Sequence, residues 1–316
     1  MTSLRSFFIR HYKITIILLV LPSILILAQN VGYKDLGKIQ SDQLNEISGM
    51  VTGRINPGIL WVHNDSGDKS YLYAINRQGN LLGKYLLKDA WNRDWEDIAA
   101  GPGPLADLNY LYLGDIGDND AVYTVKVVYR LREPEVLLQP ALIDTTITDW
   151  APIAFTYPDG PRDAECLLVD PLTTDLYVLS KRDTRTHVYW APYPQPVDSV
   201  FEIQKLGTIP VAGITAGDIS PDGKYIILKN YTEVFVWQRI KNESLFKTLS
   251  RTPERLPYIP ETQGESLAWD SDGKGYLTTS EVVGGIPARL IHYHFDPPDE
   301  DHNGNSGSRS PATLFK

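Results

Sequence analysis

The chain has 316 residues, a formal net charge of −9 and 42% apolar residues, the composition of an ordinary globular protein. The acidity argues against nucleic acid as a partner and favours cations. A single cysteine, Cys166, excludes an internal disulfide, and in the run Cys-Leu-Leu-Val it reads as a small core residue.

In chain order, Arg5, Arg10 and Lys13 precede an apolar stretch from Ile14 to Leu27, broken by Pro22, and Ile26-Leu27-Ala28 offers a cleavage site. This predicts a secretory signal peptide over residues 1–28, and so a secreted protein, periplasmic or extracellular. The stretch is short for a membrane span, which favours cleavage over an uncleaved anchor and predicts no stable membrane insertion of the mature domain. Removal of 1–28 takes the formal charge from −9 to −12, because the segment carries three basic residues and no acid.

Short strand patterns separated by turn signals then follow in groups of four. The first group is Ile47–Val51, Ile59–His63, Tyr71–Ile75 and Leu81–Leu87. The second is Ile98–Ala100, Tyr110–Leu113, Val127–Leu131 and a strand somewhere in 142–157. The third is Cys166–Val169, Leu176–Leu179, Val188–Trp190 and Phe201–Leu206. The fourth is Ile219, Tyr225–Leu228, Val234–Trp237 and Leu245–Leu249. The fifth has only Leu267–Trp269, Gly275–Thr278 and Arg289–Tyr293, while Tyr33–Ile39 is a spare strand at the other end of the chain. A spare N-terminal strand completing the last blade is how a propeller closes without an open edge. The prediction is an all-β, five-bladed β-propeller over 32–296 with a disordered polar tail at 297–316. Six blades are the alternative. The Asp170-Pro171, Ser220–Gly223 and Asp270–Gly273 phrases are predicted to be hairpin turns, since none has the ligand spacing of an EF-hand.

A carboxylate opens the first strand of each group: Glu46, Glu96, Glu165, Asp218 and Glu265. The steps between them are roughly 50, 69, 53 and 47 residues, a propeller-like period. First strands line the channel of a propeller, so the five are expected to form a ring about the axis. At roughly 6 Å and an effective dielectric of about 20, two unit charges repel by about 2.8 kcal/mol. A ring of five therefore needs raised pKa values or cations. An all-oxygen set suits Ca²⁺, with Mg²⁺ as the alternative, and does not suit zinc. Asp115 and Asp118, in the dense run Asp115–Asp120, are the expected further metal ligands. Lys181, Arg182 and Lys229 at the ends of second strands, with Arg162, are expected to hold an anionic small molecule. His63, Glu96 and Glu165 are the candidate acid–base residues if the site is catalytic.

Glu46-Ile47-Ser48 with Trp61 and Asn64-Asp65-Ser66-Gly67 resembles the opening blade of calcium-activated nucleotidases of the apyrase type, and is partly similar to phytase-like and gluconolactonase-like propellers. The nucleotidase resemblance implies a secreted five-bladed propeller with one calcium ion on the axis, and Glu96, Glu165 and Gly264-Glu265-Ser266 match its short acidic phrases. Asp94–Ala99 and Asp115–Asn119 resemble those of an uncharacterised family of secreted bacterial propellers. The expected function is a calcium-binding module for a small ligand or a protein, with the ion as a structural pin. The alternative is a metal-dependent phosphoester or phosphoanhydride hydrolase.

Overall fold

A computed structural model describes residues 32–137 and 141–297. The predicted signal peptide, and the predicted tail after Pro297, lie outside the described residues. Among the described residues no helix is long and apolar enough to cross a membrane.

The chain begins with β1 (Tyr33–Lys38), then builds blade 1 from β2 (Ile47–Thr52), β3 (Ile59–Asn64), β4 (Tyr71–Asn76) and β5 (Leu81–Leu87). Blade 2 contains β6 (Trp95–Gly101), β7 (Tyr110–Asp115) and β8 (Val125–Arg132). After β8 the chain leaves to form β9 (Ile143–Ile147) and returns as β10 (Trp150–Thr156), the fourth strand of blade 2. Blade 3 is β11 (Ala164–Val169), β12 (Leu176–Ser180), β13 (His187–Ala191) and β15 (Gln204–Thr208), with the two-residue β14 (Phe201–Glu202) between the last two. Blade 4 is β16 (Ala216–Ile219), β17 (Tyr225–Lys229), β18 (Val234–Gln238) and β19 (Glu254–Leu256). Blade 5 is β20 (Ser266–Trp269), β21 (Gly275–Thr279) and β22 (Arg289–His294), and β1 pairs antiparallel with β22 to close it. The fold is a five-bladed β-propeller closed by its N-terminal strand, as the sequence predicts.

The long step between Glu96 and Glu165, which left room for a sixth blade, has a specific cause. Strand β9 crosses to the outer edge of blade 1 and pairs in parallel with β5, Gly83 opposite Ile143 through Leu87 opposite Ile147. Blade 3 repeats the device on a smaller scale, because β14 pairs in parallel with β10 of blade 2. Each added strand covers an outer edge that would otherwise expose unpaired backbone groups. The predicted strand Phe201–Leu206 is accordingly split between two sheets.

One predicted strand is wrong. Leu245–Leu249 is a short helix, α1, and the fourth strand of blade 4 is Glu254–Leu256. Ser244 caps α1 by accepting from the Lys247 N–H at 3.3 Å, and Leu245 and Leu249, one turn apart, bury the same face. The Glu243 carboxylate receives the Thr248 hydroxyl at 2.9 Å and pairs with Arg251 at 2.6 Å, which fixes the entry to α1.

The two inner strands of every blade are buried along their whole length, so they show no alternation of buried and exposed residues. The apolar core lies between blades. One layer joins blades 1 and 2 around Trp61, Trp95 and Leu113, and another joins blades 2 and 3 around Tyr112, Phe155 and Tyr189. Cys166 lies in the layer between blades 3 and 4, fully buried, and burial pushes its thiol up, so it is a core residue as expected. Side chains also tie neighbouring inner strands together. The Ser48 hydroxyl donates to the Trp95 carbonyl at 2.7 Å and the Thr52 hydroxyl to the Trp269 carbonyl at 2.8 Å. The predicted hairpin turns are present: Gly223 N–H donates to the Ser220 carbonyl and Gly273 N–H to that of Asp270.

Candidate metal centre

The site begins with a repeated irregularity in the inner strands. In blade 1 the register shifts between Ile47 and Gly49, in blade 2 between Trp95 and Asp97, and in blade 3 between Ala164 and Cys166. The extra residues are Ser48, Glu96 and Glu165. A bulge re-aims the side chain it carries, and bulges are common beside functional sites. Blade 4 has no shift: Ala216 and Gly217 pair directly with Lys229 and Leu228. Asp218 therefore falls further along its strand. Its buried carboxylate accepts the N–H groups of Ile219 and Trp269, both at 2.8 Å, and burial raises its pKa to about 6. Asp218 is a tie between blades 4 and 5 and does not join a ring. Asp97 has the same task between blades 2 and 3, accepting from Ile98 and Leu167 at 2.9 Å each.

The ring of five is thus corrected to an uneven group at the channel mouth. Matching backbone bonds place Glu46 level with Asp163: the Asp65 N–H donates to the Glu46 carbonyl and the Lys181 N–H to that of Asp163. The level of Glu46 is therefore that of Asp94 and Asp163, two residues before Glu96 and Glu165, and its own side chain is exposed. The repeated unit in blades 2 and 3 is Asp-x-Glu: Asp94-Trp95-Glu96 and Asp163-Ala164-Glu165. That spacing was visible in the sequence. Reading one carboxylate per blade concealed it.

Two overlapping triads result. Asp65, Asp94 and Glu96 bring one carboxylate oxygen each to within 4.8 Å of one another, and so do Glu96, Asp163 and Glu165. Glu265 joins them across the mouth. Lys181 pairs with Glu165 and lies 3.4 Å from Glu265, and the Tyr231 hydroxyl donates to Glu265. Because Glu165 and Glu265 belong to non-adjacent blades, this bridge spans the channel. Glu281 completes the group beside Glu265.

Electrostatics mark the site as short of positive charge. Burial first, then the charge of Glu165, pushes Glu96 well above the usual carboxylate range. Burial raises Glu165 to about 8 even though Lys181 pulls the other way. Asp94 is raised to about 7 by burial and then by Asp65, with which its carboxyl is hydrogen-bonded. Glu281 is raised to about 7 by burial and then by Glu265. Two carboxyls also have oxygens without a protein partner. Glu165 Oε2 is buried without a hydrogen bond, and Glu96, 4% exposed, makes no hydrogen bond or ion pair among the described residues. Gly117 leaves room for this crowd, since a Cβ there would overlap Glu96 Oε1 and Asp94 Oδ2.

These shifts fix the sign of a pH effect. The folded, metal-free chain keeps protons that the unfolded chain has released, so its stability should fall as pH rises from 6 to 8. A slope of one proton corresponds to about 1.4 kcal/mol per pH unit. Urea midpoints in EDTA at pH 6 and pH 8 measure it, and a midpoint that climbs with pH would contradict the geometry.

The other predicted residues surround the group without entering it. Asp115 accepts the Asp94 N–H at 2.9 Å and faces Arg93 at 3.7 Å. Asp118 pairs with the fully buried Lys126 at 3.0 Å and accepts from Val122 and Tyr123, both at 2.8 Å. The Asp115–Asp120 run is therefore a self-satisfied turn that supports Gly117 and Asp163, whose carboxylate receives the Asp118 N–H at 2.8 Å. His63 is fully buried between Gly49 and Trp95. Its Nδ1 faces the Asn64 carbonyl at 3.1 Å, and burial lowers its pKa to about 4, which makes it a neutral packing residue. Lys229 is buried with its ammonium on the Gly264 carbonyl at 2.6 Å and Glu261 at 3.5 Å. Arg162 is held by Asp159 and Asp183, both at 2.8 Å, and Arg182 by Asp163 at 2.7 Å. Each of the four predicted anion-binding cations is already paired with a protein carboxylate.

No protein-family model and no curated protein sequence matches the chain. Similar solved structures include the PQQ-bound form of aldose sugar dehydrogenase from Streptomyces coelicolor, 11% identical with a TM-score of 0.46 over 83% of this chain and 97% of that one. A nidogen/laminin complex is 10% identical with a TM-score of 0.42 over 75% of this chain and 73% of that one. Likenesses this distant say nothing about the mouth, and the blade count rests on the strand pairing of this chain itself.

Proposed function

We propose that the chain is a secreted, cation-dependent binding propeller, with a hard divalent cation, Ca²⁺ before Mg²⁺, at Glu96, Asp163 and Glu165. The observation that carries this reading is the unpartnered, buried Glu165 Oε2 beside the unpartnered Glu96. Oxygens up to 4.8 Å apart suit a cation bound at roughly 2.3–2.6 Å, the usual range for calcium. Mg²⁺ demands a tighter octahedron and gives up its waters reluctantly, which favours Ca²⁺. Export is supported by the basic and then apolar segment at residues 1–28.

A binding role is favoured over phosphoester hydrolysis because Lys181, Arg182, Lys229 and Arg162 are all engaged by carboxylates, leaving none of them to hold a phosphate. The loops on the same side as the mouth expose Trp91, Val122, Tyr123 and Ile286, apolar surface suited to a ligand or protein partner. The resemblance to calcium-activated nucleotidases extends to the blade plan and an acidic mouth, and is not extended to their substrate.

The test is thermal. Ca²⁺ at one hundred times its Kd should stabilise the metal-stripped chain by about 2.7 kcal/mol, and EDTA should reverse the shift. Identical melting in EDTA and in millimolar Ca²⁺ would refute the reading.

A further inference from the structure

We propose that the mouth holds a pair of divalent cations rather than one, with the Glu96 carboxylate bridging a second ion at Asp65 and Asp94 to the first at Asp163 and Glu165. This rests on the cation-binding reading above and deepens it.

The two triads are separate except at Glu96. Asp65 and Asp94 come from the loops that follow β3 and β5, and Asp163 and Glu165 from the approach to β11 and its first turn of strand. Glu96 stands between them on the bulge of β6 with nothing bonded to either oxygen among the described residues. A carboxylate has two oxygens and about four lone pairs, so one such group can serve both sides. Among the described residues the five side chains do not meet as one group: oxygens come within 4.8 Å of one another only in the two sets of three. Asp163 is pinned by the Asp118 N–H and Arg182, and Glu165 gives one oxygen to Lys181 and keeps the other free. On the opposite side, Asp65 and Asp94 bring one carboxylate oxygen each to within 4.8 Å of Glu96 and of one another.

Charge points the same way. The mouth collects Asp65, Asp94, Glu96, Asp163, Glu165, Glu265 and Glu281 against Lys181 and Arg182. One divalent cation leaves it strongly negative. Two bring it near neutrality. The backbone at residue 117, a glycine, lets Asp94 Oδ2 and Glu96 Oε1 approach it together, since a Cβ there would overlap both oxygens. Ligands that are all oxygen select hard cations for both positions. Paired ions of this type lie about 3.5–4 Å apart.

Mn²⁺ is the probe, since it reports both number and proximity. The metal-stripped full-length chain, titrated with Mn²⁺ and followed by equilibrium dialysis and EPR, is expected to bind two ions. At saturation its spectrum should be that of a coupled pair, in place of the six lines of an isolated ion. Asp65→Asn with Asp94→Asn should bind one ion and restore the six-line signal. One ion per wild-type chain, or two ions without coupling, would overturn the bridged pair while leaving the cation-binding reading intact. No ion bound would overturn both.

Discussion

Glu96→Gln should make the metal-free protein more stable and the calcium-loaded protein less so. At pH 8 in EDTA, wild-type Glu96 has two options, both costly. It can stay ionised beside Glu165, Asp65, Asp94 and Glu265, or it can hold a proton far above its unfolded pKa. The first costs up to about 2.8 kcal/mol for a single neighbour at roughly 6 Å, and the second about 1.4 kcal/mol for each pH unit above the unfolded pKa. Glutamine has the shape of the protonated acid and neither cost. The gain should be about 2 kcal/mol, or roughly 4–8 °C in melting temperature for a domain of this size. Saturating Ca²⁺ should then reverse the order, because on the proposed reading the wild type gains the binding energy and the variant has lost the shared ligand. Scanning calorimetry of both proteins in EDTA and in Ca²⁺ checks this. A variant that melts below wild type in both conditions would mean that Glu96 is an ordinary structural carboxylate.

The contrast between Glu96 and Asp218 shows what the sequence could and could not reveal. Both open a short apolar run after a propeller-like step, and both are buried carboxylates on inner strands. The blade plan follows from those runs because apolar patterning and turn residues are local properties. Closure by Tyr33–Lys38 follows too, since an unfilled blade and a spare strand have one economical solution. The role of each carboxylate depends on a bulge, and one extra residue decides which way the side chain points. Blades 2 and 3 have that residue and blade 4 lacks it. Asp94 and Asp163 were recoverable from the Asp-x-Glu spacing. Asp65 and Glu281 stand at the far ends of second strands, which the blade plan places at the same rim, but which of the side chains there join the carboxylates depends on blade packing. The helix at Leu245–Leu249 escaped for a related reason: five residues are too few to separate period 3.6 from period 2, and the deciding contact is Glu243 with Arg251.

Glu133→Ala should be the more damaging change for the fold, and it should leave the mouth intact. Glu133 is 5% exposed and lies just past β8, where the chain departs to form β9 on blade 1. Its two oxygens accept from four donors of the neighbouring blade: Arg54 N–H at 2.9 Å, Ile55 N–H at 3.1 Å, the Asn56 amide at 2.7 Å and the Trp61 indole at 3.1 Å. Alanine leaves all four without this acceptor, and three of them come from the hairpin between β2 and β3. Hydrogen bonds to a charged group are worth about 1.5–3 kcal/mol each, and stranded buried donors cost about 1–3 kcal/mol more, though neighbouring losses do not add. A total near 4 kcal/mol is expected, with a fall of roughly 8–16 °C in melting temperature. Glutamine keeps one acceptor oxygen and should cost about half as much. The calcium-induced shift should survive in both variants, since the β2–β3 hairpin lies at the opposite end of the inner strands from Glu96 and Glu165. Loss of that shift in Glu133→Gln would mean that the crossing strand, and not the bulges alone, sets the geometry of the carboxylates at the mouth.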